Sequence, residues 1–413
     1  MFVPLDTLYD YLDDVIKQDL VIYRFWPHGS KNLEHLTPKR DYTMFDCVTR
    51  PIMICHDQEP LNWDLYGANN LNDVTWFKDW PEQFRQFWFA RNLRSACEIN
   101  IHDRCILTHS EYNSSQVEQY HANGFEPVYV WSHALLARDW YRYAMVDPRL
   151  QQHNTLTYDF NIYARAWSGS REYRLLLLSM LSDIAHHCRV TFSTQDQGCY
   201  LDHKFVNPRF DIHNLDLENL FGNTQVSSHN SATYDADHYT SCAIDVVLET
   251  IFDESRIYLT EKTLRPLACA QPFILVAPAG SLRYLQNYGF ETFDTLIDES
   301  YDQEVDPVQR LRCIAQEMQR ISRMPQAKKI QLHQALRRIA ERNQQHFFSQ
   351  VFFSQVVNEY MVNMQQAIRN TLNSRQGTEW HQHLALYDQY PDYKTHNDAM
   401  PLWQVQSAVM QCF

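Results

Sequence analysis

Short apolar runs of four to six residues recur along this chain, each ending abruptly in a polar loop and most followed by a helical stretch. Strands joined through helices must lie parallel, in sheets covered on both faces, so this alternation dictates βαβ units. In the first half the strands are residues 51–55 (PIMIC), 105–108 (CILT) and 127–131 (PVYVW). Ser110 is placed to cap a helix through Tyr120, with Gly124 closing it. Residues 145–158 are polar and aperiodic, the expected domain linker. The same grammar then restarts, with strands at 160–163, 189–192, 243–248 and 272–276. Helices are predicted from Arg171, from Glu261 to about Ala270, and from Ser281 to Tyr288 with Gly289 as terminator. Across 303–370 apolar positions recur at threes and fours, the signature of helices packed on a flank. The expected architecture is α/β, with two Rossmann-like domains facing across a cleft and a helical C-terminal flank. Their predicted bounds are 1–150 and 158–370, followed by an irregular tail over 371–413 that packs onto the body.

A chain of 413 residues is too long for one ordinary core, which agrees with two domains. No apolar run approaches the ~18 residues of a membrane span. The opening MFVPLDTLYDYLDD carries acids where a targeting leader needs bases, so a cytoplasmic protein is expected. The ten cysteines form no CxxC pair and several lie in apolar stretches, as buried hydrophobes do. The formal net charge of −14 repels nucleic-acid phosphates and disfavours non-specific binding to them. No pattern in the sequence sets an oligomeric state.

Glycine is the scarce residue: nine in all, with no G-x-G anywhere. That removes both the dinucleotide fingerprint and the P-loop. Any phosphate site here must be built from side chains and helix N-termini. Two clusters have that character. In Thr260-Glu261-Lys262, at a predicted helix start, free amides and the positive dipole end suit a phosphate, and Lys262 adds a full charge. Glu261 is an acceptor fitted to a ribose diol. In the strand–helix junction from Arg165 to Arg174 (RAWSGSREYR), Arg165 and Arg171 can clamp a diphosphate through forked hydrogen bonds, with Ser168 in the turn between them a further donor-binding candidate. Taken singly, a Glu-Lys at a helix start is ordinary capping and an arginine-rich first turn is a solvated face. Their joint placement at the carboxyl ends of strands in one domain favours a nucleotide-diphosphate site.

The stretch YLTEKTLRPLACAQPFIL resembles the donor-site signature of family 10 fucosyltransferase-like enzymes, and AWSGSREYRLLLLSML resembles the arginine-bearing junction that opens their C-terminal domain. The resemblance covers about residues 158–290; Arg265-Pro266 differs from the family's usual continuation. It implies a GT-B fold and an inverting, metal-independent transfer from a GDP- or UDP-sugar, with no other cofactor. It further implies that Glu261 binds the ribose, Lys262 the pyrophosphate, and Arg171 with Arg165 the departing diphosphate, while Glu249 faces the sugar.

Inversion requires one general base. The candidates are Asp57 and Glu59 in the loop HDQEP and His133 in WSHALLARDWYRY; the bland alternatives are exposed loop acids and a satisfied buried histidine. The acceptor stays open between a glycan hydroxyl and a hydroxylated base in DNA. The DNA reading would draw on Lys31, Lys39 and Arg40 near the N-terminus, or on a basic run interleaved with aromatics, Arg85, Arg91 and Arg94 among Phe84, Phe87, Trp88 and Phe89. A third reading is a non-catalytic nucleotide-sugar binder or structural protein on the same fold. Asp235-Ala236-Asp237 has the form of a metal-binding DxD, but such a motif ends a buried apolar strand and residues 231–234 are not one. His381 with His383, and His186 with His187, lack further ligands at metal-binding spacing.

Overall fold

The computed structural model describes residues 21–25, 52–56, 60–63, 105–122, 125–151, 156–212, 216–224 and 233–374, with backbone alone at 21–25, 52–56, 105 and 372–374. These residues belong to two compact units, one built on His133–Gln355 and one joining residues before it to those from Val356 onward. Each unit holds a four-stranded, wholly parallel sheet, so the fold is α/β and Rossmann-like. No helix among the described residues is long and apolar enough to cross a membrane.

In the first sheet the order is β1 (Val21–Phe25), β2 (Ile52–His56), β3 (Cys105–His109) and β4 (Glu126–Tyr129). Helix α1 (Ser115–Ala122) links β3 to β4. It starts four residues later than a cap at Ser110 would set. The Ser110 hydroxyl is engaged by the Val130 carbonyl at 2.7 Å and by Ser132, and Asn113 takes a left-handed φ of 54° that breaks the run. Ser114 caps instead, accepting the Gln116 amide at 3.2 Å. Trp63 closes this core edge-on to Tyr120 and Phe125, with centroids 4.9 and 6.5 Å away.

The second sheet runs β6 (Cys188–Phe192), β5 (Tyr158–Ala164), β7 (Cys242–Leu248), β8 (Phe273–Val276). One face of β5 presents Phe160, Ile162 and Ala164, all fully buried. Each large apolar side chain so buried contributes about 1.5–3 kcal/mol. The other face carries a polar row. Arg189, Asn161 and Asp245 stand in register on β6, β5 and β7. Asn161 donates to Asp245 at 2.7 Å and accepts from Arg189 at 3.2 Å. Burial pushes the Asp245 carboxyl up to about 6, against the pull of Arg265, Asn161 and Arg189.

Around this sheet lie α2 (Ser132–Trp140), α3 (Tyr173–Met180), α4 (Leu217–Phe221), α5 (Ala236–Ser241), α6 (Glu261–Ala268), α7 (Ser281–Asn287), α8 (Pro307–Ser322) and α9 (Gln326–Phe347). The helix expected from Arg171 begins at Tyr173 and breaks at Leu181 into a 3-10 turn over Ser182–His187. Helices α8 and α9 supply the predicted helical flank of this unit, whereas α10 (Gln350–Ser374) belongs from Val356 onward to the other unit and not to the 158–370 domain expected from the sequence. Cys188, Cys242 and Cys269 are buried; burial raises the thiol of Cys242 to about 11 and that of Cys188 to about 12.

Arg138 on α2 is only 3% exposed and serves as a remote C-cap for α9. Its guanidinium donates to the carbonyls of Phe347, Phe348 (3.2 Å) and Ser349 (3.1 Å), at the point where α9 ends and its last carbonyls point out of the helix. Arg138→Met should therefore cost roughly 2–4 kcal/mol, because buried carbonyls lose their donors. That corresponds to about 5–10 °C in Tm for a unit of this size. A melting curve unchanged within 2 °C, about the shift from the smallest loss of stability worth counting, would contradict the cap.

Candidate functional site

At the carboxyl edge of the second sheet, the loops leaving β6, β5 and β7 emerge side by side, as the strand order requires. Such edges are where open parallel sheets bind ligands. The loop from β7 begins at Glu249, which is fully buried. Its Oε1 accepts the Thr260 amide at 3.0 Å and the Thr263 hydroxyl at 2.6 Å, and its Oε2 accepts the Thr260 hydroxyl at 2.8 Å. This carboxylate anchors the start of α6 from behind. Thr260 is the N-cap in extended conformation, and its oxygen accepts the Lys262 amide at 3.3 Å.

The first turn of α6 then presents a charged pair. Lys262 Nζ lies 3.2 Å from Thr260 Oγ1 and 3.1 Å from Glu261 Oε1, with its side chain 29% exposed. Burial alone would raise the Glu261 carboxyl, but Lys262, His133 and Arg265 outweigh it and hold the pKa down to about 2. Glu261 is thus an ionised acceptor at any working pH. His133 Nε2 sits 3.9 Å from Glu261 Oε2, and its ring meets Tyr258 edge-on at 5.4 Å.

The loop from β5 carries the arginines. Arg165 opens it, half-buried, and Gly169–Arg171 form a 3-10 turn. Gly169 has φ +60°, a conformation that a side chain would strain. This turn is bolted to the end of β7. The Ser170 hydroxyl donates to the Thr250 carbonyl at 3.0 Å, and the Tyr173 hydroxyl donates to the Glu249 carbonyl. Arg174, 3% exposed, donates to the carbonyls of Ala166, Leu248 and Glu249 at 2.6, 2.7 and 3.0 Å. Residues 248–250 therefore hold the arginine turn through their carbonyls and the Lys262 helix through the Glu249 side chain.

No family model, curated protein or solved structure matches this chain. Ser168, Arg171, Glu261, Lys262 and His133 all fall in the unit His133–Gln355. Glu249, expected to face a sugar, lies beneath the helix start with both carboxylate oxygens engaged there. His133, expected beside the acceptor, is 2% exposed and turned to Glu261. Ser168 is 5% exposed, its amide and hydroxyl both bonded to Asp196. Asp57, Glu59, the bases Lys31, Lys39 and Arg40, the basic run around Arg85 and the pair His381 and His383 lie outside the described residues. Asp235 caps α5, accepting the Asp237 amide at 3.0 Å, so the DxD-like triplet starts a helix and does not end a strand.

Sequence reasoning missed Arg265 as a partner of the site. Its Nε donates to the Tyr239 hydroxyl at 2.9 Å and its guanidinium lies 4.6 Å from the Tyr163 ring centroid. Burial would lower its pKa, but Tyr239, Tyr141, Tyr163 and Asp245 around it raise it well above the usual arginine value. The one available signal was a charge in the middle of an otherwise amphipathic helix. Asp196 left no sequence signal at all.

Proposed function

We propose that this chain is a glycosyltransferase that takes a sugar from a nucleotide-diphosphate donor and passes it, with inversion, to a hydroxyl acceptor. The observation that carries the reading is the shared anchor at residues 248–250. It fixes the Lys262 helix start and the Arg171 turn at one edge of one sheet, without a glycine loop. In such a transfer the bond between the sugar's C1 and the diphosphate oxygen breaks, and its electron pair stays on the diphosphate. The acceptor oxygen bonds C1 from the opposite face and gives its proton to a base. Negative charge thus grows on the leaving phosphoryl group. An ammonium at the helix start and a guanidinium on a turn anchored to the same strand end would stabilise it with little reorganisation. Glu261, ionised down to about pH 2, suits the hydroxyls of a ribose. The resemblance of 258–275 and 166–181 to fucosyltransferase-like enzymes supports the same chemistry and favours GDP among the nucleotides.

A thermal-shift series with GDP, UDP, CMP and ADP tests this. A ligand at 100-fold its Kd adds about 2.7 kcal/mol to folded-state stability. One nucleoside diphosphate, GDP foremost, should raise Tm by roughly 5–10 °C, and the matching nucleotide sugar should release free diphosphate when an acceptor is supplied. No shift with any of the four would remove the donor site. A shift without diphosphate release from any nucleotide sugar would leave a binder.

A further inference from the structure

Asp196 lies on the loop that leaves β6, exposed to solvent on one side. Its Oδ2 alone accepts three hydrogen bonds from the loop that leaves β5: the Trp167 amide at 2.9 Å, the Ser168 amide at 2.8 Å and the Ser168 hydroxyl at 2.7 Å. Burial would raise this carboxyl, but those donors and the nearby Arg171 charge hold it below the ordinary aspartate value. The loop carrying it is anchored on several sides. The Trp167 indole donates to the Ser193 carbonyl at 2.8 Å. Asn223 exchanges bonds with Thr194, donating to its hydroxyl at 2.8 Å and accepting its amide at 3.3 Å. The Tyr200 amide returns to the Thr194 carbonyl at 3.1 Å. A carboxylate so fixed acts as a brace, not as a plug that swings clear.

We propose that Asp196 is a positioning residue for the anion site: it locks Trp167 and Ser168, and through them the 3-10 turn that aims Arg171. This rests on the donor-site reading above. Two consequences follow from the bonding. Ser168, with amide and hydroxyl turned to Asp196, makes no contact with the ligand, and the β5 loop meets the diphosphate through Arg171. Because all three bonds end on one oxygen, an asparagine whose Oδ1 takes that place keeps every acceptor contact while losing the charge. An alanine loses them all.

The test compares Asp196→Asn and Asp196→Ala by GDP affinity and by amide hydrogen exchange at Trp167 and Ser168. Asp196→Ala should weaken GDP binding about tenfold, equivalent to a lost charge-assisted bond network of ordinary strength, and exchange faster at both amides. Asp196→Asn should restore affinity to within about threefold of the parent, a difference under 1 kcal/mol, and keep both amides protected. Tighter or equal GDP binding by Asp196→Ala would overturn the proposal, since a carboxylate competing with phosphate for the cradle gives that sign. Equal loss in both variants would also overturn it, because charge and not bracing would then matter. If the parent protein binds no nucleoside diphosphate, the donor-site reading fails by itself. The exchange rates, which need no ligand, then decide the brace: unchanged protection in Asp196→Ala refutes it.

Discussion

Lys262→Ala is expected to lower sugar transfer by about 10²–10³-fold or more, the usual cost of deleting one preorganised charge at a developing anion, while the fold survives. Survival follows from what the side chain touches. Among the described residues its ammonium, on a side chain 29% exposed, reaches Thr260 Oγ1 and Glu261 Oε1 and no other group, so its loss acts on the first turn of α6. The cap itself uses the Lys262 amide, which alanine keeps. One stability effect remains and has a definite sign. The Glu261 carboxyl is held down to about 2 in the folded protein, against the ordinary glutamate value of 4.5, with Lys262 the largest favourable contributor. Its contribution is therefore complete above pH 4.5 and is lost as pH falls toward 2. Without Lys262 the folded value rises, so acid unfolding should begin at higher pH in the variant. Diphosphate release from a GDP- or UDP-sugar, paired with an acid titration followed by circular dichroism, reads both effects. Turnover equal to that of the parent would refute the role assigned to Lys262. Lys262→Arg is a useful control, because a fork replaces a point charge at the same site.

Features carried by neighbouring residues were readable in the sequence. The β-branched and aromatic runs gave strands β2 to β8 within one or two residues, and Gly289, at φ 87°, closes α7 where its lack of a side chain is required. Thr260 capping Glu261-Lys262 was equally local. Long-range pairing was not readable. Glu249 meets Thr260 and Thr263 across a loop of irregular backbone, Asp196 reaches back 28 residues to Ser168, and Arg138 reaches forward 209 to Phe347. A hydrogen bond between segments distant in sequence imposes no spacing that a reader can detect. For that reason Glu249 was expected to point at a ligand: a carboxylate before a charged helix looks the same in sequence whether it faces outward or inward. Ser110 failed as a cap for a related reason, since its hydroxyl had a better partner in β4's following residue, Val130.

Glu249→Ala is expected to be among the most damaging single changes in the unit, at roughly 3–5 kcal/mol, because a fully buried acceptor disappears and leaves both a cavity and donors without partners. Of the three donors it serves, the hydroxyls of Thr260 and Thr263 can rotate, but the Thr260 amide cannot. Glu249→Gln separates the contributions. Its carbonyl oxygen can stand where Oε1 does, keeping the Thr260 amide and the Thr263 hydroxyl. Its amide nitrogen then faces Thr260 Oγ1, which must reverse from donor to acceptor while already accepting from Lys262. The expected cost is about 1–2 kcal/mol, one compromised buried hydrogen bond. Urea unfolding monitored by tryptophan fluorescence, to which the buried Trp167 contributes, measures the pair. The order parent, Gln, Ala should appear in the midpoints, with slopes alike if only stability has changed. The same order should appear in GDP affinity, because loosening Thr260 frees the turn that carries Lys262. If Glu249→Ala unfolds at the parent midpoint, the strand end does not anchor the helix. If stability falls in that order but GDP affinity does not, the anchor is structural and has no part in aiming the ammonium.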